Sequence, residues 1–360
     1  MKNAMLNNRL TALRALLQAR GADAALMSLY ENRRYYSGFT GSNGYLIVTD
    51  HSLTLITDRR YTRQAEEQTQ GVRIVEHAAD RHALIAREIH ALGLASLLLE
   101  SAMPVSEYFA LSALLPDVRM QLADEALLDI RMVKDPAEID LIRTAVRMSE
   151  QALASVAAQC CIGMTEKDIA DELNYRVSRQ GADSMGFGTI VAAGERGALA
   201  HGAPTARQVA AGEMVVIDFG AQWNGYCADL TRTLLFGEVP PERLRIFDLV
   251  EQAFEAAMAS VRPGVSAAEV EEAHRTVFRD AGMEAYALKG LGHGIGLEIH
   301  EHPRVVVAGT HTLRPGMVFT VEPGLYLPGR CGVRTEDDVL VSETGVLNLC
   351  TLPHRICIPQ

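Results

Sequence analysis

The stretch VVIDFGAQWNGYCADLTRT, residues 215–233, places Asp218 in one strand-like run and Asp229 in the next, where β-branched and apolar residues normally stand. A second pair of acids repeats the plan. Asp218 in GEMVVIDFG corresponds to Glu322 in PGMVFTVEPG, each two residues before a glycine. Gly225 precedes Asp229 by four residues, and Gly332 precedes Glu336 by four. Four buried carboxylates without counter-charge would each cost several kcal/mol or hold a proton. Arg334 is one candidate cation, and one guanidinium cannot balance four acids. Two divalent ions would balance them, and carboxylate oxygens with one imidazole suit manganese, cobalt, iron or zinc. GLGHGIGLEIHEHP supplies the imidazole as His293, between glycines that admit close backbone approach. Asp218, Asp229, His293, Glu322 and Glu336 are therefore read as a dinuclear site. The glycines around His293 follow G-x-G-x-G-x-G, which is not the G-x-G-x-x-G spacing of a nucleotide loop.

The elements that must position these groups repeat too. GMTEKDIADELNYRVSRQG (163–181) and GVSAAEVEEAHRTVFRDAG (264–282) each begin and end in glycine. Each carries a capping box, Thr165 with Asp168 and Ser266 with Glu269, so two matched helices are expected. Each half then presents two acids on two adjacent strands. Upstream, RMVKDPAEIDLIRTAV offers Asp135 as a cap, Pro136 at the first helical position and Glu138 as the capping-box acid. A second domain is expected to begin there, giving domains of 1–130 and 131–360. In the first, Leu10, Leu13, Leu16 and Leu17 have helical spacing with Gly21 as the stop. ALMSL and GYLIVTD read as strands, with helical segments around residues 60–70 and 80–92, which makes an α/β domain.

A net charge of −11 over 360 residues argues against nucleic acid or an anionic membrane as partner. The N-terminal MKNAMLNNRLTALRALLQARG has no apolar run long enough for a signal-peptide core or a membrane span, so the cytoplasm is the expected compartment. Six cysteines lack C-x-x-C spacing and read as reduced, mostly buried thiols.

These residues are where a family resemblance enters. These five residues, four acids and a histidine in this order on separate motifs, resemble the pita-bread metallopeptidases, which include methionine aminopeptidases, aminopeptidase P and prolidase. YENRRYYSGFTGSNGYLIVTD followed by DRRYTRQAEEQ is similar to the N-terminal domain of aminopeptidase P and prolidase, which methionine aminopeptidases generally lack. The resemblance implies a creatinase/prolidase-type α/β N-terminal domain, then an α+β pita-bread domain with pseudo-two-fold symmetry. It implies two divalent ions per chain, manganese first, with cobalt or zinc as alternatives. Asp218 would be a terminal ligand, Asp229 and Glu336 would bridge both metals, and His293 and Glu322 would complete the coordination of the second metal. His201 in RGALAHGAPT and His300 in LEIHE match the family's two substrate-side histidines, and Arg334 matches an arginine two residues before the last bridging glutamate. A homodimer is implied as well. Two departures stand out: Lys289 occupies a place where aminopeptidase P and prolidase usually carry a histidine, and Ala200 replaces a usual proline.

The activity so implied is release of the N-terminal residue from short Xaa-Pro peptides, as an aminopeptidase P or an Xaa-Pro dipeptidase. Water bridging two divalent ions has its pKa lowered toward neutrality and acts as hydroxide on the scissile carbonyl. Glu322 takes its proton and passes it to the leaving nitrogen. His300 donates a hydrogen bond to the developing oxyanion, and His201 orients the substrate backbone or relays protons. Arg334 steadies a bridging carboxylate. His274, His302 and His311 are given no catalytic part, and Tyr226 and Tyr326 no role. Two further readings stay open, a metal-dependent hydrolase of a small non-peptide amide, which Lys289 suggests, and a peptide-binding module without catalysis, which would show broken ligands.

Overall fold

The computed structural model describes residues 2–78 and 80–359 and divides into two compact units, one ending at Ile130 and the other beginning at Arg131. In the first unit, helix Lys2–Arg20 stops at Gly21, whose φ of +57° lies in the left-handed region that glycine enters freely. A six-stranded mixed sheet follows, in the spatial order Val72–His77, Leu53–Asp58, Tyr45–Thr49, Ala24–Met27, Ser96–Leu99 and Arg119–Leu122. Leu26, Ile47 and Leu97 pack there against Ile85 and Ile89 of helix Arg81–Ala91, which the Asp80 side chain caps. Helix Thr62–Gln68 also falls where expected. Helices Tyr30–Ser37 and Val105–Leu114 were not foreseen. The first is anchored by a residue distant in sequence: the buried Glu100 carboxylate accepts from Ser28 N (2.7 Å), Leu29 N (2.8 Å) and Asn32 Nδ2 (2.7 Å).

The second unit opens with helix Pro136–Ala157, whose capping box of Asp135 and Glu138 is formed. The two repeat helices, Glu166–Arg179 and Ala267–Asp280, are both 14 residues long with both capping boxes made. Their entry turns are tied alike: Gly163 N donates to Val209 O (2.8 Å) and Gly264 N to Leu313 O (2.9 Å). One sheet runs Ile356–Ile358, Leu230–Phe236, Glu213–Phe219, Ile190–Ala193; the other runs Glu301–Val305, Gly292–Gly294, Val318–Val321, Asp337–Val341, Val346–Asn348. They meet through a bridge between Thr231 and Glu336. Helix Pro241–Ser260 packs on both, with Phe247 and Val250 among Met214, Leu235 and Val333, and Phe254 and Ala257 among Phe319, Val321 and Val339. Each such large apolar side chain contributes about 1.5–3 kcal/mol by burial.

One expectation needs correction. Of the four acids expected on strands only Asp218 lies in one: Asp229 stands one residue before Leu230–Phe236, Glu322 one residue after Val318–Val321 and Glu336 one residue before Asp337–Val341. Between the long strands, Ala221–Trp223 and Tyr226–Cys227 form a small hairpin. Its loop is Asn224–Gly225, with φ of 45° and 72°, the positive angles that a tight two-residue turn needs. Among the described residues no helix is long and apolar enough to cross a membrane.

Candidate metal centre

Asp218 sits on the central strand Glu213–Phe219, opposite Ile190 on one side and Thr231 on the other. Glu322 directly follows strand Val318–Val321, and Glu336 directly precedes strand Asp337–Val341. His293 lies in strand Gly292–Gly294, which runs beside Val318–Val321. Its flanking glycines answer a steric demand: a Cβ on Gly292 would come 1.9 Å from Thr320 O, and one on Gly294 1.9 Å from His302 O. No larger residue fits there without moving the backbone.

The cluster closes around the imidazole. His293 Nδ1 donates to Gly294 O (3.2 Å), which leaves the Nε2 lone pair facing Glu322 Oε1 (3.4 Å) and Asp229 Oδ2 (3.7 Å). Ligand atoms of Asp229, His293 and Glu336 all lie within 4.8 Å of one another. Burial, reinforced by the other carboxylates, pushes Asp229 and Glu336 far above the usual carboxylate range. Glu322 is pushed up to about 7, mainly by burial, with Arg334 opposing and Asp218 adding to the rise. Burial likewise lowers the His293 imidazole. Buried acids this close together each favour the neutral form unless a cation faces them. Among the described residues, Asp218 Oδ1 and Asp229 Oδ1 are buried without a hydrogen-bond donor. Two orphaned carboxylate oxygens, two further acids and a correctly oriented imidazole fit divalent cations.

Arg334 is completely committed. It pairs with Asp218 Oδ2 and donates to Tyr326 Oη (2.8 Å), Ala200 O (3.0 Å) and Thr231 Oγ1 (2.9 Å). Its primary partner is therefore Asp218, the expected terminal ligand. It reaches Glu336 only at 3.8 Å, through Thr231, whose hydroxyl donates to Glu336 Oε2 (2.6 Å). Tyr326, given no role from sequence, orients the guanidinium. Thr320 links two ligands, accepting from His293 N (3.1 Å) and donating to Glu322 Oε1 (3.2 Å). Asp338 Oδ2 accepts from Asp229 N (3.0 Å).

At the rim, the exposed His300 ring stacks edge-on to His293 with centroids 4.3 Å apart. Partial desolvation, then the nearby imidazole, lowers its pKa to about 4. His201 is exposed and follows Ala200, whose carbonyl Arg334 holds, and it lies within electrostatic reach of both Glu322 and His300. Lys289 is exposed, and the contacts of the cluster do not include it. Arg304 went unnoticed in the sequence. It is the cross-strand partner of His293, it is exposed, and among the described residues it makes no ion pair. Cross-strand partners share a sheet face, so a free cation stands beside the metal histidine. Only the antiparallel register of HEHPR against GLGHG reveals this.

An α/β unit followed by a repeat-built unit with four acids and a histidine converging is the build of a metallo-exopeptidase. Residues 140–343 match the pattern of metallopeptidase family M24, and residues 9–133 match the creatinase/prolidase N-terminal domain. The chain belongs to metallopeptidase family M24, in the branch with that N-terminal domain, and its catalytic unit has the pita-bread fold. It is 34% identical over 351 residues to the uncharacterized peptidase YqhT of Bacillus subtilis, covering 97% of this chain and 99% of that protein. The solved Xaa-Pro dipeptidase from Bacillus anthracis superposes with a TM-score of 0.95 at 32% identity, over 98% of this chain and 99% of that one. The X-Pro aminopeptidase from Thermotoga maritima gives 0.88 at 36% identity, over 94% and 98%.

Proposed function

We propose that the chain is a dinuclear-metal exopeptidase that releases the N-terminal residue from Xaa-Pro peptides, with dipeptides as its preferred substrates. The observation that carries the metal reading is the convergence of Asp218, Asp229, Glu322, Glu336 and His293, with Asp218 Oδ1 and Asp229 Oδ1 left undonated. Xaa-Pro specificity is carried over from relatives called Xaa-Pro dipeptidase and X-Pro aminopeptidase. Arg304 favours the dipeptide: an unpaired guanidinium beside His293 suits a free carboxylate one residue past the scissile bond.

When bound, two divalent ions, manganese first, lower the pKa of water and polarise the scissile carbonyl. The rest falls to the chain. Glu322, aimed by Thr320, accepts the proton of the attacking water and returns it to the proline nitrogen. His300, neutral at pH 7 because its pKa is lowered, donates an N–H to the developing oxyanion without repelling cations. His201, on the segment that Arg334 fixes, orients the substrate backbone. Arg334, itself held by Tyr326, keeps Asp218 in place. A cytoplasmic homodimer remains the expected form of the enzyme.

The test is hydrolysis by metal-stripped protein reloaded with manganese, cobalt or zinc, on Xaa-Pro dipeptides, Xaa-Pro tripeptides, Met-Ala-type peptides and N-blocked controls. Metal-dependent release of the first residue only before proline, faster from dipeptides, is expected. No cleavage with two metals bound would sink the peptidase reading and direct the search to small amides.

A further inference from the structure

Around Glu336 the backbone alternates its side chains. Arg334 and Glu336 face the carboxylate cluster, while Thr335 and Asp337 face the opposite side, where a second polar network is built. Thr335 Oγ1 donates to Glu251 Oε1 (2.5 Å) on helix Pro241–Ser260. Glu251 Oε2 lies 2.7 Å from His354 Nδ1, and His354 Nε2 lies 2.9 Å from Asp337 Oδ2. Asp337 also accepts from Arg232 Nη2 (2.7 Å) and Asn348 Nδ2 (2.6 Å). Arg232 directs its other donors to backbone: Thr231 O (3.0 Å), Glu336 O (2.8 Å), Leu352 O (2.8 Å) and Pro353 O (3.2 Å). Arg232 and Asp337 are both 1% exposed, so nothing in solvent substitutes for these bonds. The segment that ends at His354 is thus fastened to the first residues of the strands that directly follow Asp229 and Glu336.

We propose that His354 is a positioning residue for the metal centre: by bridging Glu251 and Asp337 it fixes residues 335–337 from behind and holds the Glu336 carboxylate in the cluster. The proposal rests on the dimetal reading above. A mechanical need exists, because Glu336 stands just outside its strand and a carboxylate that must meet ions at a fixed place needs its backbone restrained. Both ring nitrogens face carboxylates, so both carry protons. Burial alone would lower the imidazole, but Asp337 and Glu251 overcome it and hold it up to about 9. The charged groups around the ring are Glu251 from the helix and Asp337 and Arg232 from the two strands, with Phe254 edge-on at 4.7 Å. None of these touches substrate in the mechanism above.

The experiment titrates metal-free wild type, His354→Gln and Glu251→Gln with manganese alone by calorimetry, beside the Tm of each metal-free protein and kcat and KM on an Xaa-Pro dipeptide. Wild type is expected to take up two ions per chain. His354→Gln should weaken the weaker ion about tenfold or more and lower kcat, with KM within about twofold. Glu251→Gln, which keeps an acceptor for the ring, should show a smaller loss of the same kind. If both variants fold, bind both ions within about twofold of wild type and differ only in Tm, the network is merely structural and the proposal is wrong. Should His354→Gln not fold, Glu251→Gln decides by the same criterion. Wild type that binds fewer than two ions overturns the dimetal reading, and this proposal with it. Two ions in wild type with unchanged variants overturns the proposal alone.

Discussion

Helix Ala267–Asp280 buries a histidine that its repeat partner lacks. His274 is 1% exposed, with its ring edge-on to Phe278 at 5.6 Å and Nδ1 3.5 Å from Glu271 Oε2. At that distance the pair is not a strong bond, and burial acts on each partner separately: it lowers His274 to about 4 and raises Glu271 to about 7. Near pH 6 both are mostly neutral, so no ion pair rescues the imidazole. An unfolded histidine titrates near about 6.5, above the folded value, so on acidification the unfolded chain takes the proton first. Stability is therefore lost as pH falls from about 6.5 through about 4, and the His274 share of that loss at pH 5.0 is about 2 kcal/mol. The repeat supplies the replacement, since Leu173 holds the matching place in helix Glu166–Arg179 and is fully buried. His274→Leu should cost under about 1.5 kcal/mol at pH 7.5, as a swap of similar volume. Between pH 7.5 and 5.0 it should lose about 2 kcal/mol less than wild type in urea unfolding of the metal-free protein. The metal-site acids titrate in both proteins and cancel in the difference. Equal slopes would refute the reasoning, and a steeper loss in the variant would mean that the histidine forms a stabilising ion pair with Glu271.

Arg334→Met strips Asp218, Tyr326 and Ala200 O of a buried donor, so the metal-free protein should lose about 3–5 kcal/mol in urea unfolding, and a change below about 1 would contradict the network described. Arg304→Gln should raise KM for an Xaa-Pro dipeptide by about threefold to tenfold while leaving its C-terminal amide unaffected; an equal effect on both would remove Arg304 from carboxylate recognition. Because Asp229, Glu336 and Glu322 hold protons when no cation faces them, manganese binding at pH 6.5 should release about one proton or more per chain, read by calorimetry in buffers of different ionisation enthalpy. Binding without proton release would mean that the carboxylates are already charged.

The four acids and the histidine were legible as a group because their cost is chemical: carboxylates buried in or beside apolar strands need counter-charge or a proton whatever the fold. The capping boxes at Thr165, Ser266 and Asp135 were legible because they are local. What the sequence hid depends on register. Arg334 was assigned to a bridging carboxylate because it lies two residues from Glu336, yet its guanidinium reaches across to Asp218, a partner 116 residues away. Tyr326 and Thr231 matter only as the groups that aim Arg334 and Glu336, and their spacing in the chain does not announce it. Arg304 becomes visible only once GLGHG and HEHPR are paired. Asp229 falls outside its expected strand because the Asn224–Gly225 turn starts a separate hairpin before it.

The pseudo-two-fold repeat explains the acids but not the difference between the two sides of the centre. The strand beside Asp218 is the apolar Ile190–Ala193, and the strand beside the one that ends at Glu322 carries His293. Asp218 has a guanidinium as its near neighbour, whereas Glu322 and Asp229 have an imidazole. A fixed cation cannot leave, so the Asp218 side keeps part of its charge balance without metal. The imidazole side has no buried cation paired with its acids, only the exposed Arg304 beside His293, and so depends more on divalent ions for its charge balance. Glu322, on the side that depends on ions, is the acid placed to exchange protons with water, and Arg304 and His300 stand at the same rim. The duplicated scaffold thus supplies four carboxylates of similar kind, and the residues that break its symmetry, Arg334 on one side and His293 on the other, give those carboxylates different surroundings.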